Sequence, residues 1–289
     1  MAHIPVLVNE VVEYLNIKPE SKIIDATLDG GGHTSAILEK YPDVKILGIE
    51  FDSVLFKSLQ LNNERLIKIN DSYVNVKNIV EEHKFEPDGI LFDLGLSSWH
   101  YEESGRGFSF KRNEILDMRF NPETQSESAV DIVNKSSEDE LRELISSLGE
   151  EKFAGNIAKN IVRARREKPI IMTEDLVEVI SRSVPEWYKH GKINFATKTF
   201  QALRVAVNDE LGNVRKGITA AIDILKPGGR LIVIAFQGLE DKVVKEVFKE
   251  KKKEGIIEFV IKGTIRPSWE EQKSNPRARS AKMKVVQKI

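Results

Sequence analysis

Three consecutive glycines, Gly30, Gly31 and Gly32, followed by His33, close the run Ile23-Ile24-Asp25-Ala26-Thr27-Leu28-Asp29, and a second apolar run from Lys45 to Ile49 ends on a carboxylate, Glu50. Glycine admits positive φ and lets the main chain approach a ligand that a Cβ would repel. An acid at the tip of the following strand accepts hydrogen bonds from both hydroxyls of a ribose. The chemistry this spacing allows is nucleoside binding, so the ligand is read as an adenosine derivative. A dinucleotide turn needs G-x-G-x-x-G, whereas here the glycines are consecutive and Asp25 and Asp29 bring negative charge to the place of a pyrophosphate. A cationic ligand such as S-adenosylmethionine suits those charges better. On the glycines alone, a tight turn in any α/β protein reads equally well.

The second chemical cluster is Asp93-Leu94-Gly95-Leu96-Ser97-Ser98, followed by Arg106-Gly107-Phe108-Ser109-Phe110. Ligands of open parallel sheets bind beyond the carboxyl ends of the strands, near the reversal of strand order, so Asp93 is expected to face the same crevice as Gly31 and Glu50. There it can touch both a cofactor and an incoming nucleophile; the alternative is a cap in a βα loop. The five histidines have neither H-E-x-x-H spacing nor cysteine partners, so no metal is expected.

The elements that must position these residues follow an alternating pattern. Strands are expected in the runs 23–29 and 45–50 and at residues 65–69, 88–93 and 229–236, and their near-continuous Ile, Leu and Val indicate burial on both faces, as in a parallel sheet. Helices are expected near 8–15, 33–40, 52–61 and 73–83, which completes a doubly wound β-α-β rhythm. From about 110 to 195 the rhythm gives way to helix signatures alone. Ser137 and Glu140 form a capping box ahead of the stripe Leu141, Leu144, Ile145 and Leu148, a second helix covers 150–166, and Thr173 is expected to cap a third. That is too much apolar helix for a loop, so we read an inserted all-helical subdomain. A long helix is expected from about 197 to 225, stopped by Lys226-Pro227-Gly228-Gly229. Residues 256–261 and 282–287 read as a terminal strand pair, one strand antiparallel, as is typical of adenosylmethionine-dependent methyltransferases. The division expected is 1–109 and 196–289 for the sheet domain and 110–195 for the insertion.

Composition sets the limits. The chain of 289 residues is 40% apolar and 31% charged, which is globular. No stretch approaches the roughly 18–20 apolar residues of a membrane span, and the beginning of the chain lacks a signal-peptide pattern. Absence of cysteine suits a reducing cytoplasm. Forty-four basic against forty-five acidic residues give no global argument for nucleic acid. Local clusters carry that argument instead: Arg163, Arg165, Arg166 and Lys168; Lys189, His190 and Lys192; and Arg277, Arg279, Lys282 and Lys284.

Taken together, these blocks resemble the bacterial RsmH (MraW) family. The resemblance rests on His3-x-Pro5-Val6-Leu7, Asp25-Ala26-Thr27-Leu28 with Gly30 to His33, Asp88 to Ser98, Arg106 to Phe110, Leu116-Asp117-Met118-Arg119, Phe195 to Arg204, Val207 to Leu211 and Asn275 to Ser280, in family order over nearly the whole chain. It implies an α/β, Rossmann-like S-adenosylmethionine-dependent methyltransferase with a helical insertion. The activity implied is methylation of the exocyclic N4 of a cytidine in 16S ribosomal RNA of the small subunit, near the peptidyl site. Gly31, Gly32 and His33 are then expected at the methionine part of the cofactor, Glu50 at the ribose, Tyr73 at the adenine, and Asp93 by the adenine or the methyl group, where it is the catalytic candidate. His100 stands where the family often has a cofactor-contacting glutamine. Arg106, Phe108, Phe110, Arg204, Asn208, Arg277 and Arg279 are the residues expected at the RNA, with Trp99 a further aromatic that can stack on the flipped base. The sequence departs from the family pattern at Asp29, Glu50, His100 and Gln237-Gly238, the last pair standing where the family reads His-Ser. Alternatives are a methyltransferase of another acceptor and an RNA-binding or ribosome-assembly protein of weak activity.

Overall fold

The structure, a computed structural model, describes residues 5–289; His3 of the first matching block lies outside the described residues. The chain forms two compact units, one of residues up to Ser97 together with Leu211–Ile289, the other Ser98–Glu210. These limits start the helical unit earlier and end it later than the expected 110 and 195. The reason is local: the 103–128 loop and the helix Thr197–Val207 pack within that unit.

The first unit is built on one seven-stranded sheet. Its strands are β1 (Lys22–Asp25), β2 (Lys45–Glu50), β3 (Leu66–Asn70), β4 (Gly89–Asp93), β5 (Arg230–Ala235), β6 (Ile257–Phe259) and β7 (Lys282–Lys288). They lie in the order β3-β2-β1-β4-β5-β7-β6. The pairs from β3 to β5 are parallel, and β7 is antiparallel to both β5 and β6, so the expected single reversed strand is present. The order reverses between β1 and β4, where Ile24 registers with Ile90 and Asp25 with Leu91, and this is where such sheets bind ligands.

Side-chain alternation along the strands sorts two cores. Ile24, Leu47, Ile90, Phe92, Leu231 and Val233 meet Val76, Ile218, Val244 and Phe248 on one face. Ile23, Ile46, Leu91, Ile232 and Ile234 meet Val6, Leu7, Val11, Leu15 and Ile37 on the other. Both faces are buried, which is why the strands read as continuous apolar runs rather than alternating ones. The segment joining β6 to β7 carries a short helix, Trp269–Ser274, and a 3₁₀ turn, Pro276–Ser280.

In the second unit the expected capping box is present. Glu140 N–H donates to Ser137 Oγ at 3.2 Å, and Ser137 N–H donates to Glu140 Oε2 at 2.7 Å. Ser128 and Asp131 form another at the helix Ala129–Lys135. Two expectations are corrected. Thr173 is not the cap of the helix Thr173–Ser183: its hydroxyl donates to the Arg112 carbonyl at 2.6 Å, while the Asp175 carboxylate accepts from Met172 N–H at 3.0 Å. The long helix near 197–225 is two helices, Thr197–Val207 and Glu210–Ile224. The apolar spacing runs through the break, but Asn208 leaves the helix and Asp209 takes φ 43°. Arg204, one turn earlier, folds onto Glu210 with bonds of 2.7 and 2.9 Å between buried groups. No helix of the described residues is long and apolar enough to cross a membrane.

Candidate active site

The turn after β1 shows why its residue types were required. Gly31 caps the helix Gly32–Lys40 with φ 73°, and a Cβ there would also meet the Leu61 side chain. At Gly32 a Cβ would lie 2.8 Å from Pro5 Cγ, so the segment before the first helix rests directly on the turn. Asp29, where the family tends to carry glycine, has φ 45°. Aspartate is among the few residues with a side chain that enter this region at modest cost, so the departure preserves the backbone path.

Glu50, at the end of β2, uses its length. Oε2 accepts from Asp29 N–H at 2.9 Å and Oε1 from Asp52 N–H at 2.7 Å, so the carboxylate spans the two turns that flank it. Each oxygen keeps lone-pair capacity for a ribose hydroxyl. Asp52 in turn accepts from Val54 and Leu55 N–H and caps the helix Ser53–Ser58.

Beside Glu50 stand Asp25, Asp29 and Asp93, the charges expected at the ligand, and also Asp52. Asp25 is buried, accepting from the Thr34 hydroxyl at 2.7 Å, and burial pushes it up to about 7. Burial, then the charges of Glu50, Asp93, Asp25 and Asp52, hold Asp29 well above the usual carboxylate range. Burial also raises Glu50, against the lowering effect of the Asp52 N–H. Asp93, at the end of β4, is raised by burial and by Asp25 and Glu240. Its N–H donates to Thr27 Oγ1 at 2.7 Å, which ties the end of β4 to the turn after β1, and its Oδ1 is buried without a hydrogen-bond partner. His33 lies alongside: Nε2–H donates to the Val6 carbonyl at 2.9 Å, and Nδ1 is 3.7 Å from Asp93 Oδ2. Buried like charges with an unsatisfied oxygen fit a ligand that is both a nucleoside and a cation, and they disfavour a pyrophosphate. The sequence already set the charges of Asp25 and Asp29 at the glycine turn; the burial that raises both needed the fold.

Tyr73 is half-buried, edge-on to Phe92 at 5.3 Å, and close enough to Gly217 that a Cβ there would clash with its ring. The segment Phe236-Gln237-Gly238-Leu239-Glu240-Asp241 is structural at its acidic end. Glu240 Oε2 accepts from Phe236 and Gln237 N–H at the start of the helix Gly238–Lys253. Asp241 is buried among three lysines: Lys245 at 2.7 Å, Lys284 at 3.0 Å and Lys282 at 3.3 Å. That corrects the third basic cluster: Lys284 is buried and Lys282 is paired with the same carboxylate, so neither belongs to an open cationic patch. Arg277 and Arg279, in the 3₁₀ turn ahead of β7, are exposed.

The remaining expected residues lie in the helical unit. His100 is buried edge-on to Trp99, Phe108 and Phe120. Phe108 is itself buried and stacked on Phe120, and Phe110 packs edge-on against Phe200. Arg106 lies over Trp99 and Phe108 and donates to the carbonyls of Arg119 and Phe120. Asn208 donates to the Met118 and Arg204 carbonyls and accepts from Phe120 N–H. In the other basic clusters, Arg165 donates to the Val133 carbonyl, and Lys189 and His190 both pair with Glu186.

Comparison with known proteins adds an independent line. The profile of the MraW methylase family matches residues 1–289. The chain is 42% identical over 292 residues to "Ribosomal RNA small subunit methyltransferase H" of Elusimicrobium minutum, covering 99% of this chain and 98% of that protein. It is 45% identical over 293 residues to the protein of the same name from Dictyoglomus thermophilum, covering 98% and 95%. With that of Sulfurihydrogenibium it shares 39% over 292 residues, covering 99% of each.

Proposed function

The chain belongs to the MraW methylase family, and from that premise we propose that it methylates ribosomal RNA of the small subunit, using S-adenosylmethionine, at the exocyclic N4 of a cytidine in 16S RNA. The observation that carries this reading is the setting of Asp93. A buried acid with an unsatisfied oxygen closes β4 at the reversal of strand order, beside a glycine turn and a second acid at the tip of β2. The relatives named for the small-subunit RNA supply the substrate class.

When bound, S-adenosylmethionine supplies an electrophilic methyl carbon on a sulfonium sulfur. The protein's own share is then to hold, align and take up a proton. Glu50 is the acid for the ribose hydroxyls, and Tyr73 offers an aromatic wall for the adenine. Gly31 and Gly32 give the main chain access to the amino-acid end, and Asp25 and Asp29 bring negative charge to a cationic ligand. Alignment of this kind is worth roughly 7–11 kcal/mol of barrier. The amine of cytosine is a poor nucleophile while its lone pair is conjugated with the ring. Asp93 is the group to accept one of its hydrogens, draw the lone pair out of conjugation and take the proton released on N–C bond formation. The target base must leave its stack to be reached, at a cost of a few kcal/mol. Half-buried Trp99 and Phe110 are the candidate aromatics in the helical unit, and Phe108, buried against Phe120, acts there with Arg106, Arg204, Asn208 and His100 by shaping that cluster. Exposed Arg277 and Arg279 are the cations for the RNA backbone. Action on small-subunit RNA supports a cytoplasmic location.

The test is transfer of tritiated methyl from S-adenosylmethionine to small subunits lacking the modification, with nucleoside mass spectrometry of the product. N4-methylcytidine is the expected product. Label on C5, or on a small metabolite and not on RNA, overturns the reading.

A further inference from the structure

One peptide unit joins the two ends of the chain to the site. The helix Trp269–Ser274 is capped by Ser268, whose Oγ accepts from Glu271 N–H at 3.1 Å. An acid at this third helical position ordinarily reaches back to the N–H of the cap. Glu271 does otherwise: its Oε1 accepts from Leu7 N–H at 2.8 Å, across 264 residues of sequence. Leu7 is fully buried and holds φ 58°, a left-handed conformation in which a leucine's Cβ crowds the following carbonyl oxygen. That conformation needs an external constraint, and its own side chain offers none.

The N–H that Glu271 holds belongs to the same planar amide as the Val6 carbonyl, which accepts from His33 Nε2 at 2.9 Å. The two groups of a trans amide point in opposite directions, so the peptide lies pinned between a carboxylate and an imidazole. A carboxylate on the N–H polarises the amide and makes its carbonyl the stronger acceptor. Because a carbonyl accepts only, His33 must carry its proton on Nε2, and in the neutral ring Nδ1 is then an acceptor. Nδ1 is the atom 3.7 Å from Asp93 Oδ2. Pro5, one residue before this amide, packs on Gly32.

We propose that Glu271 is a positioning residue for the methyl-transfer site: by clamping the Val6–Leu7 peptide it fixes the tautomer of His33 and so keeps an acceptor nitrogen facing Asp93. Its link to catalysis rests on the reading of the surroundings of Asp93 as the cofactor site. The geometry also gives a use to the short helix Trp269–Ser274 within the basic segment between β6 and β7. That helix presents Glu271 to the opposite end of the chain.

The experiment reads the tautomer directly. Long-range ¹H–¹⁵N correlation spectra of the full chain, with His33 assigned from its missing signals in His33→Gln, are expected to show the Nε2–H form alone. Glu271→Ala is expected to bring in the Nδ1–H form and, because the site loses its fixed acceptor, to weaken S-adenosylhomocysteine, measured by calorimetry, by about tenfold. Glu271→Gln, whose amide oxygen still accepts from Leu7 N–H, is expected to restore both. If Glu271→Ala loses its cooperative melt, Glu271→Asp is read in the same way, since it keeps the charge but shortens the reach. An unchanged His33 tautomer in the folded variant overturns the positioning role. Wild-type protein that binds neither S-adenosylmethionine nor S-adenosylhomocysteine, with the tautomer shift still present, overturns the cofactor reading instead.

Discussion

Thr27 accepts the backbone N–H of Asp93 at 2.7 Å, so a hydroxyl two residues beyond β1 sets where β4 ends its acid. β1 and β4 are the two strands on either side of the reversal in strand order. A side chain outside the conspicuous glycines therefore controls the position of the catalytic candidate.

Thr27→Val keeps the volume and removes the acceptor. The Asp93 N–H is then left without its partner, a loss of about 1–3 kcal/mol. We expect a lower urea midpoint and methyl transfer reduced at least tenfold. Thr27→Ser, which keeps the hydroxyl, is expected to stay close to wild type in both measurements.

Asp93→Asn tests the charge itself. An amide cannot take the proton released by the acceptor amine, and loss of a positioned acid–base group typically lowers turnover by about 10²–10⁴. Single-turnover methyl transfer is expected to fall within that range. Full turnover with normal S-adenosylhomocysteine affinity would refute a charged role.

The buried carboxylates set the pH dependence. Asp25 is raised to about 7, and Glu50, Asp29 and Asp93 are raised as well. In the folded protein these acids keep protons that the unfolded chain has lost above about pH 4. Their contribution to stability is therefore fully present below about pH 4 and is lost as pH rises through the folded values. The urea midpoint of ligand-free protein should decline between about pH 5 and 8. S-adenosylmethionine should bind more tightly over the same range, with proton release visible as buffer-dependent heats in calorimetry. Constant affinity across that range would remove the carboxylates from the cofactor site.

Asn208→Ala separates structure from recognition. Its side chain bonds the carbonyls of Met118 and Arg204 and the N–H of Phe120, and it is buried. Removing it should destabilise the protein by about 2–3 kcal/mol, read from urea unfolding. Weaker RNA binding with unchanged stability would instead give Asn208 a direct contact.

Arg277 and Arg279 stand for the electrostatic part of RNA binding. Neutralising both as glutamine should flatten the salt dependence of binding to a small-subunit RNA fragment, lowering the slope of log K against log salt by about 1.4 for single-stranded contacts. An unchanged slope would take that turn out of the footprint.

What the sequence determined by itself were the features written in short range. Both-face burial leaves a continuous apolar run, a glycine turn leaves its glycines, and a capping box needs only Ser137 and Glu140 three residues apart. From these the doubly wound sheet, the reversed last strand and the acid at the tip of β2 were legible. The long helix expected over residues 197–225 misled because apolar periodicity records which side chains are buried and not whether one axis continues. The break was decided by Asn208 and by Arg204 turning onto Glu210. Charge patterning could not show that Lys284 answers Asp241, 43 residues earlier, nor that Glu271 holds Leu7 from the far end of the chain. Those pairings exist only because the sheet order brings distant segments together. Low-dielectric burial then makes each unpaired charge or amide too costly to leave alone, so the fold selects the partner that sequence distance conceals.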